Sequence, residues 1–188
     1  MSSNRKARNC DKEYQDNGLD CCTKMTDCEP KKILLECGQN LESARFDLSS
    51  TTEQTFTLGR VIVDTSCLNK PEVKIEFSSI VFFQSSPGNS TGTTIELTFR
   101  LKRSCNNGEI ETVLTRVYKK ETQLSDNIVE EIISSEPFTI SFCECLVCPG
   151  CCEYIMEVSG NPVNFANLGT AEVNNLSLGA FAQGRNCH

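Results

Sequence analysis

The sequence predicts an all-β protein: an antiparallel β-sandwich, jelly-roll-like, with an extended N-terminal arm. Three observations predict it. Apolar and polar residues alternate with a period of two in several short segments, which puts the apolar side chains of each on one face of an extended chain. Turn-forming residues separate those segments at regular spacing, and no convincing helical period competes with them.

Residues 1–32 are rich in Asn, Asp, Lys, Glu and Gly and almost devoid of aliphatic side chains. They hold too little apolar surface to offset the entropy of ordering, so they read as an arm positioned only by what its cysteines join. The sandwich domain is expected over 33–188. Its first candidate strands are 33–37, 44–48 and 56–63, followed by Val73, Ile75 and Phe77 alternating with Lys74 and Glu76. The clearest strand interleaves Ile95, Leu97, Phe99 and Leu101 with Glu96, Thr98, Arg100 and Lys102. Further strands are expected at 110–118, 128–133 and 138–146, then at Tyr154, Met156 and Val158 between Glu153 and Glu157, and last at 173–181. Turns are expected at Pro87-Gly88-Asn89, Asn106-Asn107-Gly108, Pro149-Gly150 and Ser159-Gly160-Asn161-Pro162. Of these, Asn107-Gly108 is a strong hairpin signal. Eight to ten strands fit a jelly roll, with an immunoglobulin-like Greek key as the other topology for such a pattern.

Composition narrows function. A chain of 188 residues suits one domain and an appendage, and a core of that size folds without disulfides. A net charge of -7 leaves no positive field for nucleic acid or anionic membrane, and the short basic run Arg5, Lys6 and Arg8 reads as a solvated end. His188 is the one histidine, too little for a hydrolase that needs a buried imidazole base. The carboxylate pairs Glu109 and Glu111, and Glu130 and Glu131, fall where solvated strand faces are expected. There is no acidic calcium loop, and with no Trp and only three Tyr there is no aromatic platform for a lectin site. The sequons at Asn89 and Asn175 read as turn residues. The chain is therefore expected to be no enzyme and to carry no cofactor and no metal.

Thirteen cysteines remain to be explained. Cys10, Cys21, Cys22, Cys28 and Cys37 lie early; Cys143, Cys145, Cys148, Cys151 and Cys152 form the run CECLVCPGCC; Cys67, Cys105 and Cys187 stand apart. An odd count leaves at least one thiol to stay free, hold a metal or bond to another molecule if all the others pair within the chain. Cys148-x-x-Cys151 has a spacing used by zinc and redox sites, but Pro149-Gly150 equally suits the turn of a hairpin whose flanking strands carry thiols. A thioredoxin-like role would need a βαβ context, which is missing. On a strand, Cys143 and Cys145 share a face. Adjacent cysteines rarely bond each other, so Cys21 and Cys22 should reach different partners, either on their own domain or on a neighbouring subunit. The N-terminus lacks an apolar secretory stretch, and no run of about 18 apolar residues could span a membrane. Disulfides conflict with a reducing cytosol. Either the thiols bind metal there through the 143–152 cluster, or the protein is released by lysis into an oxidising exterior.

The stretch from Cys37 through CECLVCPGCCEYIMEV resembles cysteine-rich, uncharacterised β-domain proteins of clostridia and related spore formers. The arrangement of arm plus cysteine-bearing jelly roll is also similar to the endospore appendage fibre subunits of spore-forming bacilli. That resemblance implies self-assembly into an extracellular or spore-surface filament, head to tail with copies of itself, by sheet augmentation. It also implies disulfide cross-links from an N-terminal connector, to which Cys10, Cys21, Cys22 and Cys28 correspond. Acceptor or structural disulfide candidates are then Cys37, Cys67, Cys105, Cys143, Cys145, Cys148, Cys151, Cys152 and Cys187. Such subunits lack signal peptides and are freed when the mother cell lyses.

Overall fold

The computed structural model describes residues 33–86, 92–123, 131–146 and 149–184. The predicted arm, the turn at 87–89 and residues 128–130 of the predicted strand at 128–133 lie outside the described residues.

Among the described residues, eight principal strands form two antiparallel sheets. Sheet A has the order β1 (Ile33–Cys37), β10 (Leu168–Gly184), β4 (Pro71–Ser85), β7 (Ile133–Cys145), with the two-residue β2 (Ala44–Arg45) also pairing with β10. Sheet B has the order β3 (Gln54–Asp64), β8 (Cys151–Gly160), β5 (Thr93–Cys105), β6 (Glu111–Thr122), with β9 (Phe165–Ala166) beside β5. Successive long strands pass repeatedly from one sheet to the other, so every neighbour pair except β5–β6 is a non-consecutive one. This is the jelly-roll order, and it decides between the two topologies open from sequence.

Period two builds the core. Ile95, Leu97, Phe99 and Leu101 are all fully buried on the inner face of sheet B, opposite Val73, Ile75 and Phe77 of sheet A. Phe99 stacks on Phe138 with ring centroids 4.2 Å apart and leans on Phe77 at 6.2 Å, tying the sheets together at mid-height. At one end, Phe46 meets Phe56 and Phe165 edge to face at 5.1 and 5.3 Å.

The predicted hairpin joins β5 to β6. The left-handed positions are Asn106 and Asn107 (φ 51° and 55°), and the Gly108 N–H donates to the Cys105 carbonyl at 2.9 Å. Two central residues of positive φ make a type I′ turn, whose twist suits adjacent strands.

Several expectations are corrected. The segment at 149–150 does not close a hairpin: β7 belongs to sheet A and β8 to sheet B, so the chain there crosses between sheets. Of the strand expected at 128–133, described residues 131 and 132 lie outside any strand and Ile133 begins β7. The element at 44–48 pairs only over Ala44–Arg45, because Phe46 turns into the core and its N–H donates to the Ala171 carbonyl at 3.0 Å.

Candidate functional site

The cysteines sort by sheet and face. Cys105 and Cys152 sit opposite each other on β5 and β8 and form a disulfide with Cα atoms 4.0 Å apart. Both share the inward parity of Leu101 and Tyr154, and Cys152 is almost wholly buried. Cys67 and Cys151 are disulfide-bonded as well. Cys37, Cys143 and Cys145 are free and exposed. The remaining candidates, Cys10, Cys21, Cys22, Cys28, Cys148 and Cys187, lie outside the described residues.

The described part of the crossover from β7 to β8 is held by specific hydrogen bonds. The Thr65 hydroxyl donates to the Gly150 carbonyl (2.8 Å) and lies 3.1 Å from the Gly150 N–H, while the Cys151 N–H donates to Asn106 Oδ1 at 3.0 Å. A Cβ on Gly150 would lie 2.2 Å from that amide oxygen, so a side chain there would displace Asn106. This geometry sets Cys151 and Cys152 at the start of β8 in sheet B, while Cys143 and Cys145 end β7 in sheet A. Of the cysteines in the 143–152 run, Cys151 and Cys152 are disulfide-bonded, while Cys143 and Cys145 are not. Among the described residues no group of three or more His, Cys, Asp or Glu could hold a metal.

Beside the inner disulfide lies a polar cluster that the sequence reading missed. Glu144, on the inward parity of Phe138, Ile140 and Phe142, accepts a hydrogen bond from the Tyr154 phenol (2.7 Å) and pairs with Arg103, which also pairs with Glu111. Burial, followed by the hydrogen bond to Glu144, pushes the Tyr154 phenol above its ordinary range, so it stays a neutral donor. Glu136 repeats the motif further along β7: the Tyr118 phenol donates to it at 2.9 Å and Lys120 pairs with it. Lys120 first, then Tyr118, hold the Glu136 carboxyl below the usual carboxylate range. Each cluster bridges the two sheets and satisfies an inward carboxylate. The signal was present in the sequence as glutamates at inward positions of an alternating strand.

The outer face of sheet A carries the free thiols. Register runs Leu35–Phe181–Lys74–Cys143 across the four strands, with Cys37–Gly179–Glu76–Ser141 in the next row. Beside that second row a shallow groove of about 400 Å³ opens between β4, β7 and β10, lined by Glu76, Ser78, Thr139, Ser141 and Ser177 among others. It follows the β10 bulge between Asn174 and Ser177, where Asn175 takes a left-handed φ of 51°. Glu109, Glu111 and Glu131 are exposed, as expected of solvated carboxylates. No helix among the described residues is long and apolar enough to cross a membrane.

The sequence profile of the family described as Domain of unknown function (DUF4489) matches residues 31–183. No curated protein matches the chain. Among solved structures, it is similar to infectious bursal disease virus Gx strain at 12% identity, covering 83% of this chain and 32% of that one, with a TM-score of 0.43. It is similar to the VP2 subviral particle of the same virus at 14% identity, covering 91% and 37%, with a TM-score of 0.41. It is also similar to Eiger TNF from S. frugiperda at 12% identity, covering 85% and 96%, with a TM-score of 0.37. The chain spans about a third of the length of the two viral chains.

Proposed function

The chain belongs to the family of the Domain of unknown function (DUF4489), and from that premise we propose that it is a non-enzymatic structural subunit. Copies assemble into an extracellular or spore-surface filament and are fastened by intermolecular disulfides through the N-terminal arm. The observation that carries this reading is the division of the thiols. Cys105 and Cys152 are oxidised inside the sandwich, whereas Cys37, Cys143 and Cys145 stand free on its outer surface. Buried disulfides suit an oxidising exterior, and there exposed thiols become cross-linking positions. A covalent link between subunits keeps them together even when noncovalent contacts open, which gives resistance to heat, drying and denaturants. The resemblance of the sequence's cysteine-bearing arrangement to endospore appendage fibre subunits favours the same reading.

The test replaces Cys10, Cys21, Cys22 and Cys28 with serine together. The oxidised assembly should then dissolve in denaturant without reductant, while the wild-type assembly should not. Unchanged resistance in the quadruple variant would remove the role given to the arm.

A further inference from the structure

We propose that copies of this chain join edge to edge through sheet A, β1 of one against β7 of the next, with Cys37 bonded to Cys143 or Cys145 of its neighbour. The inference rests on the assembling role proposed above and names a contact within it.

Cys37 lies on β1 and Cys143 and Cys145 on β7, the two ends of the sheet A order. All three are free and exposed, and the registers place all three on the outer face. Within one chain Cys37 and the β7 thiols are kept apart by β10 and β4. Three strand spacings make roughly 14 Å, twice the reach of a disulfide. Cys143 and Cys145, two residues apart along one face, are about 7 Å apart at Cα with parallel side chains, outside the usual range for bonding each other. Each of these thiols therefore needs a partner from elsewhere.

Edge pairing supplies one. The three strand pairings from β1 to β7 are all antiparallel, so β7 runs opposite to β1. A second copy in the same orientation then presents its β1 antiparallel to β7 of the first, with the outer faces continuous. In one copy Cys37 is level with Ser141 across the sheet. A stagger of two residues between copies sets Cys37 opposite Cys143, and a stagger of four sets it opposite Cys145. Both preserve the face, because the side-chain period is two. Opposed residues of an antiparallel pair have Cβ atoms about 5 Å apart, close to what a disulfide needs.

An independent observation concerns charge. Natural sheets protect their edges with charged side chains. The sheet B edges follow that rule: β3 carries Arg60 and Asp64, and β6 carries Arg116, Lys119 and Glu121. On β7 the only charges are Glu136 and Glu144, both engaged across the sandwich, so its outer positions after Pro137 read Thr139, Ser141, Cys143 and Cys145. On β1 the one charge, Glu36, is exposed on the opposite parity, and the outer positions are Ile33, Leu35 and Cys37, with Ile33 59% and Leu35 74% exposed. Among the described residues, β1 pairs only with β10 and β7 only with β4. The outer faces of the two sheet A edges are thus uncharged, of complementary direction, and each carries thiols. Because β1 and β7 are different surfaces, the contact is heterologous, the kind that builds a filament when its rotation does not close a ring.

The bond forms by thiol–disulfide exchange with a small-molecule disulfide. Its two sulfurs leave as two thiols, carrying the two protons and two electrons given up by Cys37 and its partner.

The experiment mixes ordinary and nitrogen-15-labelled full-length chains, oxidises them with oxidised glutathione, and maps cross-linked peptides by mass spectrometry. The expected result is peptide pairs joining Cys37 to Cys143 or Cys145 with one label from each chain, lost in Cys37→Ser and in Cys143→Ser/Cys145→Ser. All three residues are exposed, so these variants should unfold as the wild type does. Covalent oligomers in which Cys37 is joined only to Cys10, Cys21, Cys22 or Cys28 would overturn this inference and leave the proposed function standing. Cys37 pairs of a single label only, with no mixed pairs, would overturn it too. Absence of any covalent oligomer would overturn both.

Discussion

Removing the inner disulfide with Cys105→Ala/Cys152→Ala should lower the stability of the oxidised chain by about 4 kcal/mol. The two cysteines are 47 residues apart in sequence. For a loop of that length, cross-linking the unfolded chain removes roughly 14 cal/mol/K of entropy, or about 4 kcal/mol at room temperature. The pair sits at directly opposed positions of neighbouring antiparallel strands, so the native sheet holds these residues together without the bond. The loss is therefore expected almost entirely through the unfolded state. For a domain of this size, each kcal/mol moves the melting temperature by about 2–4 °C, which places the shift near 8–16 °C. Urea unfolding of both proteins, with all other disulfides kept oxidised, measures the difference directly, and the slope with urea should rise as the freed chain exposes more surface. A loss below about 1 kcal/mol would refute the reasoning, because it would mean that the unfolded chain is already constrained across this loop.

The remaining predictions concern the polar bridges between the sheets. Tyr154→Phe should cost about 1 kcal/mol, since Glu144 keeps Arg103 as a partner; Glu144→Leu should cost about 2–4 kcal/mol by leaving the phenol unpaired and Arg103 with only Glu111. Chemical denaturation of the two variants ranks them, and equal costs would contradict the shared role of the carboxylate. Alkaline pH tests the same site. The folded-state Tyr154 value is raised above the ordinary 10.0, so its contribution is whole below pH 10 and is lost as pH rises beyond it. Stability should fall by about 1.4 kcal/mol per pH unit there on account of this residue, and Tyr154→Phe should remove that share of the slope.

Strands with one polar face were legible in the sequence. Ile95 to Leu101 alternates cleanly, and β1 spans the same residues, 33–37, as its sequence pattern. Beyond Phe77 the signal fades: β4 continues to Ser85, but Ser79 faces the core while Ile80 and Phe82 sit on the outer parity, so polarity no longer marks the face. The crossover at 149–150 was misread because Pro-Gly favours a turn whether or not the flanking strands pair with each other. Which sheet a strand joins depends on partners distant in sequence, such as Val63 and Cys105 for Cys152. The free thiol face was half legible. Cys143 and Cys145 announce a shared face by spacing, but only the four-strand register shows Cys37 on that face at the opposite edge. The inter-sheet clusters stayed hidden because Glu136 and Glu144 look like solvent-facing charges until the inward parity of Phe138 to Phe142 is applied to them.

The most direct test of the account is negative-stain electron microscopy of the full-length protein after oxidation, repeated after boiling in denaturant without reductant. The account predicts filaments in both images and their loss on adding reductant. Discrete particles in both would contradict it.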